Sequence, residues 1–308
     1  MTLDDNRPHR HSPVRTGLGA LAAGLALAAV SGGLALADAH RGVTHTWTAE
    51  GFAEAESAAH DPGRGTIYVS NVAGAPFEKD GKGYISRLDE AGKVLERKWV
   101  SGLQAPTGIA LHGTTLYVAD IDTLHAIDTE AGAVRRSWTV PTAKTLNDVA
   151  VDAEGRVYVS DMMDNAVYRL ADGDFTQWLK TPSLMTPNGL LATDDRLVVA
   201  SWGLMTGEGF AVDPGGHLRA VDYETKQVHA MGPGTPVGTL DGVKAHGDDH
   251  YLVTDWINGA LLRIGADGAV EELLDLDQGA ADLEYVPEAK LVIIPMMNSG
   301  TVRAYTLK

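Results

Sequence analysis

The chain has 308 residues and a formal net charge of −16. This acidic balance argues against a nucleic-acid partner, because neutralising phosphates requires a basic face. The absence of cysteine excludes disulfides, thiolate metal sites and a cysteine nucleophile. The 35 glycines and the ordinary charged fraction are typical of an all-β protein with many turns.

Residues 1–39 have the pattern of a secretory signal peptide. Basic residues precede an apolar run from Leu18 to Leu36, and a small-residue A-x-A site follows at 37–39. An uncleaved membrane anchor is the alternative, although the run is short and rich in Ala and Gly for a span. We therefore expect a periplasmic or secreted protein with no membrane span in its mature part. Residues 40–308 are expected to form a single domain.

One pattern then recurs six times: a strand-like run, a polar turn and a second β-rich run. Successive repeats start about 40 to 53 residues apart, within the period range expected of four-stranded propeller blades. A two-sheet sandwich is the alternative, but it would not require a fixed repeat. The sequence therefore predicts an all-β, six-bladed β-propeller. The six repeats start at Glu56, Thr107, Asn147, Asn188, Asp241 and Asp282.

The last repeat ends at Lys308 after only three strands, whereas an additional strand is predicted at the other end of the chain, from Val43 to Thr48. We expect this N-terminal strand to complete the last blade, because closing the ring removes exposed sheet edges. Two longer intervals contain Gly-rich insertions, at residues 72–83 and 204–216. The first insertion, with Pro76-Phe77 between glycines, is a candidate lid.

Each of the six repeats begins with an oxygen-bearing side chain, although apolar residues follow it. In a propeller blade, the first residue of the innermost strand lies at one mouth of the central channel. A ring of carboxylate, amide and hydroxyl oxygens suits a hard divalent cation. Capping of the turn before each strand is the alternative for any single position. We expect one divalent ion, with Ca²⁺ preferred and Mg²⁺, Mn²⁺ and Zn²⁺ also compatible.

Four motifs occur in a fixed order along the chain: Glu56 before an apolar strand, Asn147-Asp148, Pro187-Asn188-Gly189 and Leu240-Asp241-Gly242. Together they resemble the senescence marker protein/gluconolactonase/luciferin-regenerating enzyme family, over residues 40–308. The resemblance implies a six-bladed propeller with one divalent metal ion, held by Glu56, Asn188 and Asp241. It further implies lactone hydrolysis, with Asp241 as general base and Asn147 in contact with the substrate.

Two features depart from this family or lie outside its motifs. Asp282 matches none of the motifs and is a candidate extra ligand or second base. Sugar-lactone members have an arginine two residues before the asparagine of the third repeat, where this chain has Thr145. The guanidinium that could bind sugar hydroxyls is therefore missing from that position.

A second ring of residues follows the second strand of each repeat and returns to the same mouth of the channel. Its Met and Trp side chains predict an apolar collar above the polar site. Packing between blades is the alternative for the methionines. We expect Trp202, Trp256, Met163 and Met296 to contact the substrate, which we expect to be an alkyl- or aryl-bearing lactone or ester. The ring comprises Asn71, Ile121, Met162-Met163, Trp202, Trp256 and Met296-Met297.

The sequence thus favours a metal-dependent hydrolase of lactones or related esters, expected to act as a monomer on a small molecule. The main alternative is a non-catalytic propeller that binds a ligand or protein and uses the cation structurally. A related lyase-like chemistry on the same fold is a third reading.

Overall fold

The computed structural model describes residues 42–207 and 209–308. The predicted signal segment, residues 1–39, lies outside these described residues. The strands form six four-stranded antiparallel sheets and one short two-stranded sheet. The prediction of a six-bladed β-propeller is therefore confirmed. Within the described ranges, no helix is long and apolar enough to cross a membrane.

The first three blades are continuous in sequence, and each is a four-stranded meander. Blade 1 consists of β2 (Ala55–Asp61), β3 (Thr66–Asn71), β4 (Gly83–Asp89) and β5 (Val94–Leu103). Blade 2 consists of β6 (Pro106–His112), β7 (Thr115–Asp120), β8 (Thr123–Asp128) and β9 (Ala133–Thr139). Blade 3 consists of β10 (Leu146–Val151), β11 (Val157–Asp161), β12 (Ala166–Ala171) and β13 (Asp174–Lys180), with the 3₁₀ turns η1 (Met162–Asp164) and η2 (Pro182–Leu184) nearby.

The remaining blades include an inserted hairpin and the ring closure. Blade 4 consists of β14 (Pro187–Ala192), β15 (Arg196–Ser201), β18 (Leu218–Asp222) and β19 (Val228–Ala230). A hairpin of β16 (Gly203–Met205) and β17 (Val212–Gly215) is inserted between β15 and β18. Blade 5 consists of β20 (Leu240–Ala245), β21 (His250–Asp255), β22 (Ala260–Gly265) and β23 (Val270–Asp275). Blade 6 consists of β24 (Glu284–Val286), the 3₁₀ turn η3 (Pro287–Ala289), β25 (Leu291–Met296), β26 (Thr301–Leu307) and β1 (Val43–Glu50).

The ring closes through the N-terminal strand, as the sequence predicts. Strand β1 pairs antiparallel with β26, from Val43 opposite Leu307 to Glu50 opposite Thr301. The first strands of successive blades contact one another, which places them around the central channel. Because β1 joins the last three strands in one sheet, blade 6 has four strands like the other blades.

The hydrophobic core consists of layers between adjacent blades. Six clusters of buried side chains lie at the six blade interfaces. Between blades 1 and 6, for example, Ile67 and Leu88 pack against Ile293 and Val302. Fully burying one such side chain contributes roughly 1.5–3 kcal/mol. The propeller is thus stabilised at its blade interfaces, which leaves the axis free for polar residues.

A β-bulge near the start of every inner strand sets the geometry of the channel. In blade 5, Leu240 pairs with Asp255 and Val243 with Val253, so the inner strand advances three residues while its partner advances two. Two consecutive inner residues, Asp241 and Gly242, therefore share one pairing step. A bulge of this kind breaks the usual alternation of side chains between the two faces.

The same bulge in blade 6 corrects the predicted register of that blade. Ala280 bridges to Met296, and Glu284 pairs with Ile293. By this register Ala281 occupies the first position of the sixth blade, and Asp282 occupies the second. The sequence-based prediction of a sixth oxygen donor at the first position was therefore wrong. The ring at the mouth has five oxygen-bearing side chains and one alanine.

Candidate functional site

One mouth of the channel forms a cavity of about 130 Å³. The first positions of five blades, together with Thr145, supply polar side chains to its lining, and the segments that follow the second strands supply the apolar ones. The oxygen-bearing lining residues are Glu56, Thr107, Thr145, Asn147, Asn188 and Asp241. The apolar lining residues are Val72, Pro76, Phe77, Met162, Trp202, Phe210, Trp256 and Met297.

The structure brings together the four residues that the family resemblance assigns to metal and substrate. Glu56, Asn147, Asn188 and Asp241 all line the cavity, each from a different blade. Glu56, Asn188 and Asp241 are buried, whereas Asn147 is partly exposed. The side chain of Asn188 donates a hydrogen bond to Asp241.

The predicted apolar collar is present, but two of its methionines are shifted by one residue. Trp202 and Trp256 line the cavity as expected. Met163 points to solvent with 44% of its surface exposed, and Met296 is fully buried at the end of β25. Met162 and Met297 line the cavity in their place.

A regularity in the second strands explains this shift. In each blade, one residue of the second strand pairs with the first residue of the inner strand, and the collar residue comes directly after it. In blade 5, Asp255 pairs with Leu240, and Trp256 is the collar residue. In blade 6 that pairing residue is Met296, so the next residue, Met297, reaches the cavity. The paired methionines in the sequence gave no indication of which member occupies the position.

Thr145, at the position where sugar-lactone members have arginine, lines the cavity, although the sequence assigned no role to its own side chain. The carboxylate of Asp161, at the end of β11, accepts the backbone N–H groups of Lys144 and Thr145 at 2.8 and 3.0 Å. Asp120 holds the corresponding loop of blade 2 in the same way, through Gln104 and Ala105 at 2.8 and 2.7 Å. These aspartates fix the loops that enter the inner strands. An aspartate at the end of a second strand is the sequence signal for this role.

A second ring lies directly below the first, at the second bulge position of each blade. Polar residues, Ser57, Asp148 and Asp282, occupy this position in blades 1, 3 and 6, and glycines occupy it in blades 2, 4 and 5. Asp282 therefore lies beneath the cavity, where it accepts a hydrogen bond from Ser57 Oγ at 2.5 Å, and it is not among the lining residues. The glycines are Gly108, Gly189 and Gly242.

The polar members of this second ring tie adjacent blades together. The Asp148 carboxylate accepts the backbone N–H of Leu190 at 2.6 Å, two residues beyond Asn188. Ser57 Oγ accepts the backbone N–H of Ile109 at 3.2 Å. Each contact fixes an inner strand of the neighbouring blade close to its cavity residue. Asp282 thus lies below the lining residues, and its role as an extra ligand or second base stays a prediction.

Lys244 provides a positive charge deeper in the channel. It lies three residues beyond Asp241, roughly 8–10 Å along the strand. Burial alone would lower the pKa of Lys244, but Asp282, Glu284 and Asp148 together raise it above its usual value. Burial raises the pKa of Asp282, and the positive charge of Lys244 opposes this rise. With Glu284 it lines a second cavity of about 190 Å³ further along the inner strands.

Burial and mutual repulsion disfavour the charged forms of the cavity carboxylates. Burial, followed by repulsion from Asp241, Asp282 and Asp148, raises the pKa of Glu56 well above its usual range. Burial and repulsion from Asp282 and Asp148 raise the pKa of Asp241 in the same way, although the hydrogen bond from Asn188 opposes this. A bound cation would remove this conflict.

Unsatisfied oxygens identify where a cation would bind. Glu56 Oε2 and Asn188 Oδ1 in the cavity lining, and Asp282 Oδ1 below it, are buried without a hydrogen-bond partner. Residues 42–207 and 209–308 contain no group of three or more His, Cys, Asp or Glu side chains placed to hold a metal ion. A cation here would therefore need the amide oxygen of Asn188 beside the carboxylates of Glu56 and Asp241. Such an all-oxygen set suits Ca²⁺ or Mg²⁺ better than Zn²⁺.

The raised pKa values predict how the metal-free protein responds to pH. Carboxyls whose pKa is higher in the folded than in the unfolded state make the folded protein bind more protons. The metal-free protein should therefore lose stability as pH rises from about 4, the unfolded-state value, through the raised pKa values. Thermal unfolding in chelator from about pH 4 to about pH 8 measures this slope, which should be smaller in Asp241→Asn.

Subtracting the pH slope of the variant from that of the wild type cancels the contribution of exposed carboxylates. Asp195 is one example, because the hydrogen bond from Arg196 lowers its pKa. Added Ca²⁺ should also flatten the slope, since a cation favours the ionised carboxylates. An equal or steeper slope in the variant would show that Asp241 does not titrate as the structure indicates.

Solved structures of similar fold are found at low sequence identity. A gluconolactonase from Xanthomonas campestris aligns with a TM-score of 0.64 and 14% identity, over 86% of this chain and 89% of that chain. Virginiamycin B lyase from Staphylococcus aureus aligns with a TM-score of 0.57 and 16% identity, over 83% and 81%. A streptogramin B lyase aligns with a TM-score of 0.61 and 11% identity, over 86% and 97%. No protein-family model matches the sequence, and a search of curated sequences gave no match.

Fold and site together define a six-bladed propeller with an acidic, oxygen-lined cavity on its axis. The fold is the one seen in the gluconolactonase and in the streptogramin-type lyases. These neighbours are consistent with the resemblance of the sequence motifs to the senescence marker protein/gluconolactonase/luciferin-regenerating enzyme family.

Proposed function

We propose that this protein is a metal-dependent hydrolase of lactones or related esters that acts at the channel mouth. The observation that carries the proposal is the pair of buried, unpartnered oxygens, Glu56 Oε2 and Asn188 Oδ1, beside Asp241. Glu56, Asn188 and Asp241 would hold a divalent cation, with Ca²⁺ the best fit to their oxygens. When bound, such an ion supplies Lewis-acid polarisation of an ester carbonyl.

The residues of the chain have distinct roles in this proposal. The Asp241 carboxylate accepts a proton from the attacking water, and the hydrogen bond from Asn188 holds it in place. Asn147 lies within the same polar surface, where its amide can donate to a substrate oxygen. Trp202 and Trp256 form an apolar wall that keeps bulk water away from the ester.

The composition of the cavity favours hydrolysis over a lyase reaction. A catalytically inactive variant of the S. aureus virginiamycin B lyase carries alanine in place of a histidine. No histidine is among the residues that line the cavity in the described part of this chain. Among the described residues of the lining, the only titratable side chains are the carboxyl groups of Glu56 and Asp241. A carboxylate that activates water is therefore the base available here.

Metal analysis of the purified protein, coupled to a lactone panel, tests this function. We expect about one divalent ion per chain, hydrolysis that is lost in chelator, and recovery when Ca²⁺ or Mg²⁺ is added back. Bound metal without hydrolysis of any lactone or ester would instead support a ligand-binding propeller with a structural cation. Full activity in the metal-stripped protein would contradict the proposed chemistry. We expect the protein to act outside the cytoplasm.

A further inference from the structure

Two insertions from opposite sides of the ring meet above the cavity. Phe77 lies between β3 and β4 of blade 1, and Phe210 lies between β16 and β17 of blade 4. In a six-bladed ring, blades 1 and 4 face each other across the channel. The two phenyl rings stack with their centroids 6.2 Å apart and their planes at 24°. They therefore form an aromatic pair across the mouth.

This pair continues into the wall of the cavity. The ring of Phe210 lies 6.1 Å from that of Trp202, and Trp202 lies 5.9 Å from Trp256. The indole N–H of Trp202 donates to the main-chain oxygen of Phe210 at 3.0 Å. Since this bond satisfies the polar group of the indole, Trp202 presents an apolar surface to the cavity. An unbroken aromatic row thus runs from the rim inward.

The rim residues are exposed although they are large and apolar. Phe77 is 50% and Phe210 is 41% exposed, and no other aromatic residue is among the exposed large hydrophobics of the described ranges. The insertion with Phe77 is anchored to blade 2 by the ion pair between Lys79 and Asp122 at 2.5 Å. Anchored, exposed aromatic rings at a cavity mouth indicate a surface that a ligand covers.

The lining disfavours two kinds of substrate. No Lys, Arg or His side chain is among the described residues that line the cavity, so a substrate carboxylate or phosphate beyond the reach of the proposed cation would have no cationic partner. Sugar hydroxyls that do not reach Thr107, Thr145 or Asn147 would lie against apolar side chains. Their hydrogen bonds to water would be lost there without replacement, against Val72, Met162 and Met297. An uncharged substrate with one polar end fits this surface.

The size of the cavity determines where a substituent must go. Its volume of about 130 Å³ is close to the cavity of about 150 Å³ that holds a benzene molecule. One lactone ring would fill it, so any substituent must extend to the rim. We infer that the substrate is an uncharged lactone or ester with an alkyl or aryl group, which Phe77 and Phe210 clamp at the mouth. This inference rests on the proposed hydrolysis and specifies its substrate class.

A series of γ-lactones tests the clamp. We expect kcat/KM to rise roughly three- to fourfold per methylene from γ-butyrolactone through propyl to heptyl derivatives, and to be lowest for gluconolactone. Phe77→Ala and Phe210→Ala should lower kcat/KM for the heptyl lactone about tenfold more than for γ-butyrolactone. Leu95→Ala, at a position that is 50% exposed but outside the cavity, is the matched control and should change neither value.

Binding of inert analogues separates failure of the clamp from failure of the hydrolase. Calorimetry compares cyclopentanone with 2-heptylcyclopentanone, which cannot be hydrolysed. Tighter binding of the heptyl ketone, lost in the Phe77/Phe210 double alanine variant, supports the clamp even if no lactone is hydrolysed. Three results would overturn the clamp. The wild type could bind the two ketones equally, the chain-length dependence could survive in the double variant, or the enzyme could prefer gluconolactone.

Discussion

Replacing Asp241 by Asn is expected to lower kcat/KM for lactones by about a thousandfold while leaving the propeller folded. The substitution removes the proton acceptor, which by itself contributes roughly 10²–10⁴-fold in general base catalysis. It also removes one negative charge from the proposed metal site. Because the amide has nearly the same shape as the carboxylate, the cavity keeps its geometry.

Although Asp241→Asn lowers activity, it should not lower the stability of the metal-free protein. Asp241 is buried and repelled by Asp282 and Asp148, so its ionised form destabilises the fold in the absence of a cation. Asp241→Asn should therefore unfold in chelator at a temperature equal to or above that of the wild type. A lower unfolding temperature would show that the carboxylate is satisfied without metal.

Metal content measured on the same sample separates the two roles of Asp241. An inactive variant that retains its metal points to the general base, whereas an inactive variant without metal points to the ligand. Asp248→Asn, in the exposed turn before β21 of the same blade, is the control and should behave as the wild type. Full activity in Asp241→Asn would show that another group is the base.

Most of the fold could be predicted because propeller blades repeat. The spacing of the repeats gave the six blades, and the unmatched strand near Val43 gave the ring closure that β1 and β26 form. The same logic located Glu56, Asn188 and Asp241, because equivalent positions of successive blades must meet on one axis. Six copies of one pattern can be aligned with one another, which identifies the equivalent position in each blade unless one copy departs from the pattern.

The errors occurred where the local rule of alternation fails. Asp282 was assigned to the first position because the repeat pattern aligned it with Asp241. The bulge gives two adjacent residues a place at the channel, and only the pairing of Ala280 with Met296 shows that Ala281 comes first. Phe210 was missed as a cavity residue for a different reason. It belongs to an insertion, whose path over the mouth depends on tertiary contacts with Trp202 and Phe77.

Gly189 lies where the inner strands of blades 4 and 5 approach each other closely, next to the cavity residue Asp241. A Cβ atom at this position would lie 2.0 Å from the main-chain oxygen of Asp241 and 3.1 Å from the Cα of Gly242. Since those atoms belong to the inner strand of the next blade, neither neighbour can rotate away as a side chain would. The inner strands of blades 4 and 5 must therefore separate to admit even one methyl group.

Gly189→Ala is accordingly expected to cost about 3 kcal/mol or more of stability, at the upper end for overpacked sites. That corresponds to a fall in Tm of at least about 6 °C for a domain of this size. Gly207→Ala is the matched control, because a Cβ there meets nothing within 4 Å, and it should leave Tm nearly unchanged. Where Gly189→Ala still folds, the displaced Asp241 strand should also weaken metal binding. A variant with wild-type stability and metal affinity would show that the two strands do not approach this closely.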